Sequence, residues 1–233
     1  MIIGGIQKIS LIDYPRKLSC VLFLSGCNFT CPYCHNPQLV KDHSAYSDCL
    51  DEKTVYKFLE SRKGFIDGVV ISGGEPTLQK ELVLLCKKIK EMGYLVKLDT
   101  NGSKPGVIQA LINEDLVDYF AMDIKSDPLR YPSIIVKDYD PGRILLSIET
   151  IMGSRTPYEF RTTCIKPIVD KTSIENIAKT IKGADLYVLQ QFHRTDEILN
   201  PQFLKKTGTI YHKEKLRQLK TIAWKWVKKC VVR

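Results

Sequence analysis

The chain has 233 residues, of which 44% are hydrophobic and 26% charged, a mix that excludes a disordered tail, a collagen-like fibre and a small disulfide scaffold. The formal net charge is +9, from 35 Lys and Arg against 26 Asp and Glu. Residues 201–233 hold ten of those bases and one acid, Glu214, so the first 200 residues carry 25 of each and balance.

In chain order, residues 20–25 (CVLFLS) read as a short buried strand and 54–62 as a helix. Residues 68–72 (GVVIS) form a second buried strand that runs into Gly73 and Gly74. Residues 78–92 place apolar side chains at 82, 85, 86 and 89, a helical stripe closed by Gly93. Residues 94–100 (YLVKLDT) are a third strand, 105–113 a helix, 117–123 (VDYFAMD) a fourth strand, and 143–152 a helix that stops at Gly153. Residues 158–164 (YEFRTTC) are a fifth strand, 173–182 a helix with Ser173 as its N-cap, and 186–190 a sixth strand. Six short strands alternating with helices predict parallel pairing through right-handed crossovers, either an open doubly wound sheet or a curled partial barrel. In both, chemistry gathers at the carboxyl ends of the strands. The polar motifs lie there: Cys27 after the first strand, Gly73-Gly74-Glu75 after the second, Asp99 and Thr100 at the third, Asp123 and Lys125 at the fourth.

No internal repeat or long linker interrupts the pattern. The expected organisation is therefore a core over 1–200 and a basic amphipathic helix over 201–233 packed on it, with Leu216, Leu219, Ile222, Ala223, Trp226 and Val227 on the buried face. The lysines opposite form a solvated face or a surface for an acidic partner such as a flavodoxin-type electron donor; no nucleic-acid motif accompanies them. No run of about 18 apolar residues is present. The first ten residues lack a basic start with an apolar stretch. Membrane insertion and secretion are thus not expected, and a cytoplasmic location is.

There are eight cysteines, and Cys27-x-x-x-Cys31-x-x-Cys34 is the sharpest local feature. In a long chain without a leader this spacing favours a metal centre over disulfides. Three thiolates on one loop suit three irons of a [4Fe–4S] cube, leaving one iron without a cysteine. The competing reading is zinc on Cys27, Cys31, Cys34 and His35, although zinc sites of this kind usually separate two ligand pairs by a longer loop. With the basic tail, that reading gives a zinc-stabilised nucleic-acid-binding module. The other five cysteines, at 20, 49, 86, 164 and 230, read as buried apolar fillers.

The trio, with Tyr33 before its last cysteine, resembles the signature of the radical S-adenosylmethionine (SAM) enzymes. Gly73-Gly74-Glu75-Pro76 resembles that superfamily's GGEP motif. The strings SLIDYP at 10–15, FLSGCN at 23–28 and CPYCHNP at 31–37 resemble the activating proteins of glycyl radical enzymes, among them those of anaerobic ribonucleotide reductase. Asp123-Ile124-Lys125 resembles the DxK motif of pyruvate formate-lyase activating enzymes. The likeness runs over about residues 4–192.

The resemblance implies a (β/α)6 partial barrel of the radical SAM type, a [4Fe–4S] cluster on Cys27, Cys31 and Cys34, and SAM chelating the open iron. Electron transfer from the cluster would cleave SAM to methionine and a 5′-deoxyadenosyl radical, which abstracts a hydrogen atom from a glycine of a partner enzyme. It further implies that Gly73, Gly74 and Glu75 meet SAM's amino group, Tyr33 lies along the adenine, Asp123 holds the ribose or a cation, and Lys125 meets the carboxylate. Arg161, charged within a predicted strand, needs either that carboxylate or an internal one. His193 resembles, loosely, a SAM-contacting histidine, and a monovalent cation is implied beside Asp99, Thr100 and Asp123. No second cluster is expected, because residues 35–67 contain only Cys49. A small-molecule substrate, as in deazapurine-forming relatives, is the other radical reading.

Overall fold

The structure is a computed structural model, and it describes residues 1–40, 50–195, 197–206 and 208–233. Six parallel strands form its centre: β2 (Ser19–Leu24), β3 (Gly68–Gly73), β4 (Leu95–Thr100), β5 (Tyr119–Asp123), β6 (Tyr158–Lys166) and β7 (Tyr187–Gln191). Each is the hydrogen-bonded neighbour of the next. The crossovers carry α2 (Glu52–Ser61), α3 (Leu82–Glu91), α4 (Pro105–Asn113), α5 (Pro141–Gly153) and α6 (Lys171–Thr180), and a four-residue α1 (Pro37–Val40) follows the cysteine loop. This is the expected (β/α)6 order.

Four elements lie outside that expectation. β1 (Ile3–Ser10) pairs antiparallel with β2; four exposed or half-exposed polar and glycine positions hide it from an apolar-run reading. The tail is more than a helix. It contributes α7 (Pro201–Lys206), a two-residue β8 (Thr209–Ile210) on β6, the helix α8 (Lys213–Trp224), and β9 (Cys230–Val232), which joins the sheet parallel to β7. Leu216, Leu219 and Ala223 are the buried stripe of α8, but Trp226 and Val227 lie beyond its end, in the connection to β9. The β-branched pair Val231 and Val232 prefers pairing with Val188 and Leu189 to a further helical turn.

Two helix boundaries also shift. The apolar stripe at 82–89 belongs to α3, but Pro76–Leu78 form a separate 3₁₀ turn, and Gln79 is extended with its side-chain amide donating to the Ser25 carbonyl at 2.6 Å. α6 is capped by Asp170 rather than Ser173. The Asp170 carboxylate accepts from the Ser173 amide at 2.8 Å, and the Ser173 hydroxyl accepts from the Asp170 amide at 2.7 Å.

Strand side chains alternate between two environments, as the pleat requires. Cys20, Leu22, Leu24, Val69, Ile71, Val96, Leu98, Phe120, Met122 and Phe160 face the helices and are part of one continuous apolar core. The other parity faces the concave side. Tyr14, Val21 and Val70 pack together there, and the positions nearer the carboxyl ends turn polar. Cys20, Cys86, Cys164 and Cys230 are buried free thiols, each pushed up to about 12 by desolvation, which suits apolar fillers; Cys49 lies outside the described residues.

β9 delivers a charge to the concave side. Arg233 donates to both oxygens of Glu159, which is 1% exposed, at 3.0 and 2.8 Å. The Tyr119 hydroxyl donates to the same carboxylate at 3.3 Å. Removing one partner of such a pair strands a buried charge. Arg233→Ala is expected to lower stability by about 1–3 kcal/mol, below the range for a fully buried pair because the arginine is half exposed. The Glu159→Gln, Arg233→Ala double variant recovers part of that loss in urea denaturation.

Candidate functional site

A cavity of about 400 Å³ opens at the carboxyl ends of the strands. The cysteine loop forms one wall with Cys27, Cys31 and Cys34, the Gly73–Glu75 turn forms another, and the concave strand positions Ser72, Asp99, Asp123, Arg161 and Thr163 form its floor.

The loop leaves β2 through Gly26 and is tied down from both sides. The Thr30 amide donates to the Ile135 carbonyl at 2.7 Å, and the Leu199 and Asn200 amides donate to the Cys34 and Pro32 carbonyls at 2.9 and 3.0 Å. Cys27 Sγ accepts the Phe29 amide at 3.4 Å. Desolvation pushes Cys27 up to about 12 and Cys31 to about 11, Lys125 opposing it at Cys31; iron must displace the protons to bind. Among the described residues no three His, Cys, Asp or Glu converge as a single metal ion would need. A cubane takes each thiolate on a separate iron and needs them spread around its volume. His35, the fourth ligand of the zinc reading, is engaged elsewhere: its ring stacks on Phe192 at 4.9 Å, and its Nε2 donates to the His193 carbonyl at 2.8 Å. The three thiols therefore fit a [4Fe–4S] cluster better than zinc.

Both glycines of the facing turn are steric necessities. Gly73 has φ +123°, and a Cβ there would lie 2.2 Å from the Leu24 carbonyl oxygen. A Cβ on Gly74 would lie 2.1 Å from the Gly26 carbonyl oxygen. The backbone at 73–74 can thus press against the strand that feeds the cysteine loop. Glu75 lines the cavity but is 1% exposed, and its carboxylate locks the turn: it accepts from the Thr77 amide at 3.1 Å, from both the Thr77 and Thr100 hydroxyls, and from the Asn101 amide at 2.6 Å. Burial raises Glu75 above the usual carboxylate range even so.

Charge concentrates on the floor. Asp123 and Arg161 are direct neighbours across β5 and β6. Arg161 Nε donates to Asp123 Oδ1 at 2.7 Å and its Nη1 to Asp99 Oδ2 at 3.2 Å. Lys125 Nζ donates to Asp123 Oδ2 at 2.9 Å, Lys97 to Asp99 Oδ1, and the Ser72 hydroxyl to Asp99 Oδ2 at 3.2 Å. Burial alone would raise both aspartates, but Arg161 with Lys125 or Lys97 outweighs it and holds them below the ordinary range. Arg161 has thus taken the internal carboxylates, the second of its two expected partners.

Two expectations do not survive. His193 is exposed and is not among the described residues that line the cavity; its carbonyl accepts from His35, and Gln190 at the end of β7 lines the space instead. The monovalent cation beside Asp99, Thr100 and Asp123 does not fit. All four aspartate oxygens already accept from cationic donors, and the Thr100 hydroxyl points to Glu75. Tyr33 is buried on the cavity wall and meets Phe192 edge-on. The sequence reading passed over Lys97, although it stands two residues before Asp99 and so shares its face.

The radical SAM superfamily model matches residues 21–184. The chain belongs to the radical SAM superfamily. This radical SAM protein is 39% identical, over all of its length and 95% of the relative's, to a Methanocaldococcus jannaschii protein whose name places it among glycyl-radical enzyme activating enzymes. It is 33% identical to the pyruvate formate-lyase-activating enzyme of Clostridium pasteurianum over 53% of this chain and 52% of that one. Its fold is similar to that of Streptococcus suis SuiB solved with S-adenosylmethionine bound, with a TM-score of 0.66 at 14% identity, covering 91% of this chain and 51% of that one. Radical SAM proteins carry a [4Fe–4S] cluster and use SAM, and the three thiols and the cavity here fit that pair.

Two outcomes test this geometry. The depressed aspartates contribute stability that is present above about pH 4, where they are ionised in the unfolded chain too, and that is lost as pH falls below it. Urea midpoints measured from pH 7 to pH 3 should therefore fall for the wild type and fall less for Asp123→Asn. At the turn, Gly73→Ala should lose about 1–3 kcal/mol from backbone strain alone, before the clash with Leu24, read as a lower thermal midpoint of the cluster-free protein.

Proposed function

We propose that this radical SAM protein is an activase that generates a glycyl radical on a partner enzyme, and that the partner is the anaerobic ribonucleotide reductase. The observation that carries the activase reading is the full-length 39% identity to a protein named for that activity. The CPYCHNP and SLIDYP strings favour the reductase as partner. When bound, the cluster and SAM together supply the electron transfer and the 5′-deoxyadenosyl radical that removes a glycine Cα hydrogen. The protein's part is to hold, orient and keep dry.

In this reading Cys27, Cys31 and Cys34 hold the cluster. The Gly73 and Gly74 backbone, fixed by Glu75, faces SAM's amino group. Tyr33 borders the adenine, Asp123 the ribose, and Lys125 attracts the carboxylate. Arg161 and Asp99 orient Asp123 instead of reaching SAM directly. A partner loop enters the open mouth at the strand ends. A flavodoxin- or ferredoxin-type donor supplies the electron. In the same reading the protein acts in the cytoplasm, with no membrane or nucleic-acid partner; among the described residues no helix is long and apolar enough to cross a membrane.

The test is to mix reduced, reconstituted protein with SAM and the anaerobic reductase and record electron paramagnetic resonance. A glycyl doublet is expected, and Cys31→Ser should abolish both the cluster absorbance and the doublet. SAM cleavage without any protein radical, across a panel of glycyl radical enzymes, would assign the machinery to a small-molecule substrate instead.

A further inference from the structure

We propose that Lys97 is a tethered cation that takes the place of a monovalent metal ion beside Asp99 and Asp123, so that this enzyme needs no such ion. The inference deepens the reading of the SAM site and rests on it.

The argument starts from charge and parity. Lys97, Asp99 and Asp123 are all on the concave face, where a lysine has no bulk water to solvate it. Lys97 is 1% exposed, and its ammonium is paired with Asp99. A buried lysine without a strong partner gives up its proton or destabilises the fold; here the partner is one of the two carboxylates that an ion would bridge. Counting the set, Asp99 and Asp123 face Lys97, Lys125 and Arg161, two negative charges against three positive. The adjacent pair Glu159 and Arg233 cancels itself. A metal ion would enter a cluster in which every aspartate oxygen already has a donor, with Glu75 close by but occupied by Thr77, Thr100 and Asn101, and it would have to strip a donor from an aspartate oxygen to gain a ligand. Without Lys97 the same set is neutral, and the Asp99 Oδ1 oxygen it holds is released to face the space the side chain had filled. An ion of single charge entering there restores the native count. Lys97 is in this sense a positioning residue: it acts on the site through Asp99, which Arg161 couples to Asp123.

The experiment compares wild type, Lys97→Ala and Lys97→Gln in tetramethylammonium, sodium and potassium chloride at one ionic strength. Tetramethylammonium supplies charge but is too large for the vacated volume. The first readout is the thermal midpoint of cluster-free protein. The wild type should not distinguish the three salts. Lys97→Ala should gain about 2–6 °C in sodium or potassium, and Lys97→Gln, which refills much of the volume without the charge, should gain less. The second readout is SAM affinity of reconstituted protein, where sodium or potassium should improve Lys97→Ala several-fold and leave the wild type unchanged. A wild type that is stabilised by, or binds SAM more tightly in, one alkali ion overturns the proposal. So does a Lys97→Ala protein that is as indifferent to the salts as the wild type. If Lys97→Ala fails to fold in every salt, Lys97→Gln decides by the same two measures. A protein that binds no cluster and cleaves no SAM overturns the functional reading while the thermal readout still decides this one.

Discussion

Arg161 holds the floor of the cavity together. One planar guanidinium, on the fourth position of β6, bridges carboxylates from the two preceding sequence units, Asp123 on β5 and Asp99 on β4. This is possible because the three strands are parallel, consecutive and in register, so that alternate residues from each stand side by side on one face. Buried charges of this density are tolerated only when every oxygen has a donor. Lys97, Lys125 and Ser72 complete that requirement. The result is a rigid polar plate beneath a thiol-lined wall. Neither half has an evident use alone, and their juxtaposition is what gives the cavity chemical meaning.

The two walls are brought together by backbone alone. Gly73 and Gly74 let the end of β3 lie against the exit of β2, at separations no side chain permits. Glu75 then pins the same turn to the end of β4 through Thr100 and Asn101. Three successive strand ends are thereby fixed relative to one another, and the cysteine loop inherits its position from them. A glycyl-radical activase has to present its reactive centre to a macromolecule, and a scaffold this tightly braced keeps the mouth open without letting the machinery move.

Much of this was legible in the sequence, for a physical reason in each case. The six parallel strands announce themselves because strands buried on both faces are short apolar runs. The cysteine trio and the double glycine are legible because their spacing is tied to one local geometry. The elements that escaped lack such local marks. β1 has glycines and polar residues on its open side, and β9 has only three residues, whose partner β7 lies far back in the chain with α8 between them. Arg233 meets Glu159 across 74 positions, which no periodicity encodes. Lys97 was within reach of the strand parity rule, and was hidden because a lysine in an apolar run is usually a solvated edge. The loose alignment of His193 failed because Phe192 takes the inward position and turns the next side chain outward.

Among the described residues the sheet runs from β1 to β9, and those two edges do not pair with each other. A closed cylinder would offer its lumen to visitors from the ends alone, and any polypeptide arriving there would have to thread. A gutter with a lengthwise gap can instead be approached from the side, by a loop whose two arms both remain attached to a folded body. The two lips of that gap are held unequally: β9 pairs with β7 through three residues, whereas β1 pairs with β2 and also takes a bridge from Leu50 at Ile3.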